Sequence, residues 1–349
     1  MIKITVDASK TYDCIIEKGA LSKIGEYAKS LSLSGKACII TDSNVAPIYS
    51  QKVRASLEGA GFSVYEYIFP AGETSKNAAT FIDILEFLAK NHFTRKDTLF
   101  ALGGGVTGDL TGFCSATYMR GINFVQIPTS LLAAVDSSVG GKTAIDLEGG
   151  KNLAGAFYQP EIVVFDTDTL ETLPNENFCD GMGEVIKYAM IRGEGIEELL
   201  SDIDENLEEI IARCIKIKRD IVCEDEFEGG VRRILNFGHT AGHAVEKMMK
   251  FSLSHGASVA IGMCIITRAW EKRGLCENGT YEKLFSMCRA FSLPTDTILS
   301  AESLLEVSKN DKKAENDGVN IVVPLNVGEC DVVKVSMDEL LKIYEEGLE

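Results

Sequence analysis

The segment "DTLFALGGGVTGDLTG", residues 97–112, constrains the fold more than any other stretch of this chain. A short apolar run ends on three glycines, and residues with helical spacing follow. Gly103, Gly105 and Gly108 meet the spacing G-x-G-x-x-G. The pattern reads as strand, tight turn and helix, with glycines where the backbone must come close to a phosphate and helix N–H groups point outward. The same rhythm runs upstream. "YDCIIEKGA", "GKACIITDSNV" and "FSVYEYIFP" read as strands, and "LSKIGEYAKSL", "IYSQKVRASLEGAG" and "NAATFIDILEFLAKNH" read as helices. "INFVQIPTS" and "EIVVFDTDTL" add two more strands. Strands alternating with helices predict an α/β fold, a parallel sheet with crossover helices.

The glycine loop departs from the usual dinucleotide register. The acidic residue that normally follows about 20 positions on is missing, because that region reads "FVQIPTS". The acidic candidate is Asp42, earlier in the chain, where the strand "ACIITD" ends. On these residues alone, a phosphate-only site and a variant nicotinamide site are both open.

Past Leu173 and Pro174 the character changes. "ENFCDGMGEVIKYAMI", "GIEELLSDIDENLEEIIARCIKIKRDIVCED" and "HGASVAIGMCIITRAWEKRG" carry helical spacing, and "GVNIVVPLNVGECDVVKV" reads as a hairpin near the end. The chain of 349 residues is long enough for two cores. We place one domain at 1–170 and a mainly helical one at 171–349.

Composition narrows the partners. A formal net charge of −17 disfavours nucleic acid and anionic membrane surfaces, which call for a basic face. No apolar run approaches the roughly 18–20 residues of a membrane span. "MIKITVDASK" reads as a strand rather than a signal peptide. Ten cysteines are scattered with no C-x-x-C pair. That points to free thiols in a reducing cytosol, most of them small core residues.

Three clusters carry chemistry. "PTSLLAAVDSSVGGKTAIDLEGGKNLAGAFYQP" reads as a loop region holding Asp136, Lys142, Lys151 and Asn152 among small residues, a setting that suits an anion. "GMGEVIKYAMI" puts Glu184 and Lys187 on one helical turn amid apolar neighbours. "RRILNFGHTAGHAVE" holds His239 and His243 four residues apart on one helix face, and His255 follows. Glu184 with two histidines would form a three-ligand metal site with open positions. Spacing alone selects His239 and His243. Lys218, Arg232 and Arg233 form a second basic set suited to a carboxylate. Together these suggest a small polyhydroxylated acid phosphate as substrate.

"GGGVTGDLTGF", "ATYMRG", "IPTSLLAAVDSSVGGKTAID", "GKNLAGAFYQP", "GEVIKY", "LNFGHTAGHAVE" and "HGASVAIGM" together resemble the 3-dehydroquinate synthase family of sugar-phosphate cyclases, from about residue 40 onward. The resemblance implies an N-terminal Rossmann-like NAD-binding α/β domain followed by a mainly α-helical metal- and substrate-binding domain. It implies NAD, one divalent metal (zinc, with cobalt the other candidate) and a cytoplasmic homodimer. The implied metal ligands are Glu184, His239 and His255, which moves His243 to the substrate phosphate. The implied cofactor contacts are Asp42, Asn44, Glu73, Lys76, Gly104, Gly105, Val106, Asp109, Thr129, Ser130, Lys142, Lys151 and Thr172. Lys142, Asn152 and His243 would meet the phosphate, joined by Arg120 from a neighbouring subunit. Lys218, Arg232 and Asn236 would hold the carboxylate, and Asp136, Lys151 and Lys187 would line the reacting hydroxyls. In "NDKKAENDG", either Lys312 or Lys313 would be a further phosphate contact.

The implied reaction turns 3-deoxy-D-arabino-heptulosonate 7-phosphate into 3-dehydroquinate and phosphate, a step of the shikimate pathway to aromatic amino acids. It runs by transient NAD oxidation, phosphate elimination, re-reduction and intramolecular aldol closure. The rivals are another sugar-phosphate cyclase, such as a 2-deoxy-scyllo-inosose synthase, and a glycerol-dehydrogenase-like oxidoreductase. "PTS" stands where many members carry two threonines, and the residues around Glu184 vary; neither departure replaces a side chain that does chemistry.

Overall fold

The computed structural model describes residues 1–249, 252–311 and 318–349. Nine strands fall in the first half: β1 Ile2–Asp7, β2 Thr11–Ile16, β3 Lys36–Asp42, β4 Ser63–Phe69, β5 Thr98–Gly103, β6 Asn123–Pro128, β7 Lys142–Leu147, β8 Gly150–Phe157 and β9 Ile162–Phe165. Seven of them form one sheet in the order β1-β2-β9-β6-β5-β3-β4. Only the β1–β2 hairpin pairs antiparallel; every other neighbouring pair is parallel.

The central strands are apolar throughout because helices cover both faces. β3 is buried from Ala37 to Thr41, and β5 along its whole length. Alternate side chains enter opposite cores, as the two-residue strand period requires. Ile39, Phe100, Leu102, Val125 and Ile127 join the core under the helices Ile24–Ser30 and Gln51–Gly59. Cys38, Ile40 and Leu99 join the one under the helices Ala78–Lys90 and Gly105–Thr117.

The strand order also places a site. The chain runs from β3 outward to β4, then returns to lay β5 on the other side of β3. That reversal is a topological switch point, and ligands of open α/β sheets bind beyond the strand C-termini there. Asp42 ends β3 and Gly103 ends β5.

One sequence expectation needs correcting. Residues 142–157 are an antiparallel hairpin, β7 with β8, rather than a loop region. The small residues that suggested a loop serve close pairing: a Cβ on Gly155 would lie 2.2 Å from the Thr143 carbonyl oxygen.

The chain forms two compact units, Met1–Pro174 with Lys218–Phe227, and Asn175–Ile217 with Glu228–Glu349. The returning segment is one a single cut at residue 170 does not describe. Within the first unit it is tied down by Glu226, whose carboxylate accepts from the Ser9 backbone N–H at 2.7 Å and the Gln159 amide at 2.8 Å. The second unit is mainly helical, with Asn175–Arg192, His239–Met248 and His255–Lys272 as the helices that matter below. It also holds the hairpin of β10 Val319–Asn326 and β11 Glu329–Val335. Among the described residues no helix is long and apolar enough to cross a membrane. All ten cysteines are free, and six of them are buried.

Candidate active site

In the first unit the glycine turn lies beside Asp42. Gly104 caps the helix Gly105–Thr117 with extended backbone, so the first N–H groups of that helix open beyond the end of β5. Asp42 follows the adjacent strand. Its Oδ1 accepts from the backbone N–H groups of Asn44 (2.8 Å) and Val45 (3.1 Å), and the Thr107 hydroxyl reaches Oδ2 at 3.5 Å. The missing acid is therefore absent only from the sequence register; in space an acid flanks the loop, because β3 and β5 are neighbours. Val106 is half-buried in the first turn. The Thr129 N–H donates to the Gly103 carbonyl at 3.0 Å, and the Ser130 hydroxyl sits 3.4 Å from where a Gly104 Cβ would stand. Thr172, farther along the chain, pairs its hydroxyl with that of Tyr49 at 2.5 Å.

A second cluster of this unit is built on Lys76, which is only 4% exposed. Its ammonium donates to the Asp109 carboxylate at 2.5 Å and to the Asn152 side-chain oxygen at 2.5 Å. Burial works to lower the Lys76 pKa, but Asp109 and Glu73 outweigh it and hold the group above its ordinary value. Lys151 pairs with Glu73 at 3.3 Å. Asn152 carries a left-handed φ of 56°, and its N–H is fixed by Asp146 at 2.8 Å. Five residues from three separate stretches of the sequence, Glu73 and Lys76, Asp109, and Lys151 and Asn152, thus form one network. Lys142 is exposed at the start of β7.

Lys218, on the returning segment, donates to the backbone oxygen of Asp136 at 2.5 Å and pairs with its carboxylate at 3.0 Å. Arg120 is exposed, with a φ of 66° directly after Met119 at 50°. Two successive left-handed residues without a glycine cost about 1–3 kcal/mol each, a kind of strain that gathers at functional positions.

In the second unit, Glu184, His239 and His255 bring one ligand atom each to within 4.8 Å of one another. Glu184 Oε1 lies 3.7 Å from His239 Nε2 and 3.3 Å from His255 Nε2. Ligand atoms held tetrahedrally at about 2.0–2.1 Å from a metal stand roughly 3.3 Å apart, so this spacing fits a zinc-sized ion. Glu184 and Lys187, each 1% exposed, form a buried ion pair rather than a surface one.

Glycines make the assembly possible. A Cβ on Gly183 would lie 2.6 Å from the Gly256 carbonyl oxygen, and this contact seats Glu184 against the helix that His255 begins. The Asp180 carboxylate caps that helix, accepting from the Gly256 N–H at 2.5 Å. Gly238, at a φ of 77°, turns the chain into His239 and leaves no room for a side chain beside Met263.

The electrostatics divide the two imidazoles. Burial pushes His239 down to about 3, so its ring is neutral, and its Nδ1 lies 3.1 Å from the Phe237 carbonyl oxygen. That contact assigns the proton to Nδ1 and leaves the Nε2 lone pair facing Glu184. Burial also opposes charge on His255, but Glu184 and Glu246 override it and raise that ring to about 10.

His243 is exposed on the same helix. Its ring centroid lies 5.3 Å from that of His239 and 5.9 Å from that of His255, and a nitrogen of it joins Glu246 and His255 in a second cluster. Arg232 is buried, and Asn236 donates to Glu228 at 2.7 Å.

Comparison with known proteins decides the family. Models of the 3-dehydroquinate synthase N-terminal and C-terminal regions match residues 66–180 and 181–314. The 3-dehydroquinate synthase of Streptococcus mutans serotype c is 46% identical over 345 residues, covering 96% of this chain and 97% of that one. The chain belongs to the 3-dehydroquinate synthase family. Among solved structures, a 2-deoxy-scyllo-inosose synthase in complex with carbaglucose-6-phosphate, NAD+ and Co2+ has the same fold, with a TM-score of 0.89, 24% identity, and coverage of 99% of this chain and 100% of that one. A 2-epi-5-epi-valiolone synthase from Streptomyces hygroscopicus subsp. jinggangensis with NAD+ and Zn2+ bound aligns with a TM-score of 0.88 at 22% identity, over 99% of both chains.

For a member of the 3-dehydroquinate synthase family, the structure adds residues that the sequence reading passed over. Asp146 orients Asn152, Glu228 holds Asn236, and Glu246 faces His255 at 3.7 Å. Glu246 had a signal: it falls on the helix face shared by His239 and His243. Lys312 and Lys313 lie outside the described residues.

Proposed function

We propose that this chain converts 3-deoxy-D-arabino-heptulosonate 7-phosphate to 3-dehydroquinate and phosphate, with NAD and a divalent metal as resident cofactors. The observation that carries this reading is the match along nearly the whole chain to a 3-dehydroquinate synthase. The donor set supports the metal: a buried carboxylate and a neutral imidazole suit zinc or cobalt, and Glu184, His239 and His255 would hold it. The switch-point glycine turn with Asp42 beside it supports the dinucleotide. When bound, the dinucleotide supplies a transient hydride acceptor and the cation polarises the substrate hydroxyls.

The chain's own share is positioning and charge. By the family resemblance, Lys142, Asn152 and His243 would take the substrate phosphate. Lys76 fixes the Asn152 oxygen, which leaves the amide N–H groups of Asn152 to donate. Arg232 and Asn236, with Lys218, take the carboxylate; the planar Arg fork suits two carboxylate oxygens. Asp136, Lys151 and Lys187 line the hydroxyls, and Lys187 pairs with the Glu184 carboxylate. The departing phosphate accepts the proton from the carbon beside the transient ketone, so no dedicated protein base is required there. Asp42, Asn44, Glu73, Lys76, Gly104, Gly105, Val106, Asp109, Thr129, Ser130 and Thr172 make the nucleotide site, with Lys142 and Lys151 at its border. Homodimerisation goes with this reading, as does residence in the cytosol. The exposed, strained Arg120 would serve a neighbouring copy, and the ten free thiols suit a reducing compartment.

The test is phosphate release by the purified chain with NAD and zinc, comparing this substrate with a sugar phosphate that lacks the carboxylate. Turnover of the carboxylated substrate without net NADH is expected. Preference for the other substrate points to a different cyclase, and steady NADH accumulation points to a net dehydrogenase; either result overturns the proposal.

A further inference from the structure

We infer that Glu246 is a positioning residue for the metal centre: its carboxylate holds His255 by Nδ1, presents Nε2 to the ion and raises the affinity of the site. This rests on the metal reading proposed above. Glu246 is 5% exposed on the helix His239–Met248, between the buried Val245 and the exposed Lys247. A carboxylate buried there is costly unless it is paired. Its Oε2 lies 3.7 Å from His255 Nδ1, while Nε2 of the same ring lies 3.3 Å from Glu184 Oε1. The ring is thus held between two carboxylates, one at each nitrogen.

His239 shows the same design with a different partner. Its Nδ1 meets the Phe237 carbonyl, and its Nε2 also turns toward Glu184. Each imidazole has an acceptor behind Nδ1, at hydrogen-bond distance for His239 and at ion-pair distance for His255, and both Nε2 atoms face Glu184. A carboxylate behind an imidazole makes it a stronger electron donor, and such partners typically govern 10–100-fold of metal affinity. Charge balance favours the same role. With a divalent cation beside Lys187, Glu184 alone leaves two positive charges uncompensated, and Glu246 removes one of them.

Helix packing is a weaker explanation for this carboxylate. The helices His239–Met248 and His255–Lys272 already meet backbone to backbone. A Cβ on Gly262 would lie 2.0 Å from the Gly238 oxygen, and one on Gly242 would lie 2.8 Å from the Ser258 oxygen.

The experiment measures zinc affinity of the full chain by chelator competition, with the melting midpoint of the metal-free protein and the visible spectrum of the cobalt form alongside. Glu246→Gln keeps an acceptor near Nδ1 but loses the charge; Glu246→Leu loses both. Zinc affinity should fall about 10-fold for Glu246→Gln and nearer 100-fold for Glu246→Leu. The metal-free midpoint of Glu246→Gln should stay within a few degrees of the parent, and the cobalt bands should shift. Unchanged zinc affinity in both variants overturns the inference while leaving the metal reading intact. So does a loss that tracks the metal-free midpoint. Two ions per parent chain and one in Glu246→Gln would make Glu246 a ligand, also against it. A parent chain that takes up no zinc overturns the metal reading and this inference together.

Discussion

The metal cluster of the helical unit and the lysine network of the α/β unit solve one problem in opposite ways. Glu184, His239 and His255 begin or line helices, and small residues let those helices touch backbone to backbone. Gly183 against Gly256 is an example on Glu184's side. Lys76 follows a turn, Asp109 lies in the helix Gly105–Thr117 and Asn152 lies in β8, and charge draws them together, with the Lys76 ammonium satisfied on two sides. The first site is set by shape and the second by ion pairing. Damage to the two should therefore read out differently.

The largest effect is expected at the first ligand. Glu184→Gln removes the only carboxylate of the proposed ligand set and leaves Lys187 buried without its partner charge. Zinc affinity should fall by more than about 100-fold, beyond what changes behind the ligands cause, and turnover should go with it. Retention of zinc at parental affinity would show that the cluster is not the metal site.

Next comes the hub of the charge-built site. Lys76→Met leaves Asp109 without its 2.5 Å partner, and breaking a buried pair from one side costs about 3–5 kcal/mol. Urea denaturation should show a loss of that size together with weaker NAD binding and unchanged zinc affinity. A zinc loss in this variant would blur the distinction between the regions.

The smallest effect probes shape. Gly183→Ala forces a methyl group onto the Gly256 backbone, and overpacking of this kind costs about 1–3 kcal/mol. The melting midpoint and zinc affinity should fall together, while NAD binding holds. A variant that loses stability but keeps zinc affinity would separate the glycine contact from the metal site.

The same contrast explains what the sequence could reveal. The sheet was legible because a buried parallel strand writes itself as an unbroken apolar run, as "ACIIT" and "TLFALG" do. Asp42 was legible as the acid of the glycine loop because it ends such a run. Helical spacing alone could not choose between His243 and His255. Four residues along a helix do share a face, but the periodicity of one helix says nothing about which neighbour approaches that face. The next helix, His255–Lys272, packs against the first and brings His255, whose Nε2 lies 3.3 Å from Glu184, while His243 stays exposed. The hairpin of β7 and β8 was hidden because its small residues serve tight pairing, which composition alone cannot tell from a loop. The Lys76 network was hidden for a related reason: Asn152 reaches Lys76 only because that hairpin folds back.

The central claim is that histidines on two different helices, rather than two on one helix, hold the metal. Zinc content per chain of His255→Ala and His243→Ala, measured after dialysis against the same chelator, tests it directly. The account predicts that His255→Ala loses its zinc. His243→Ala should keep zinc at the parental level and lose about 10-fold or more in kcat/KM through a missing phosphate contact worth roughly 1.5–3 kcal/mol. Equal zinc loss in both variants, or loss in His243→Ala alone, would contradict it.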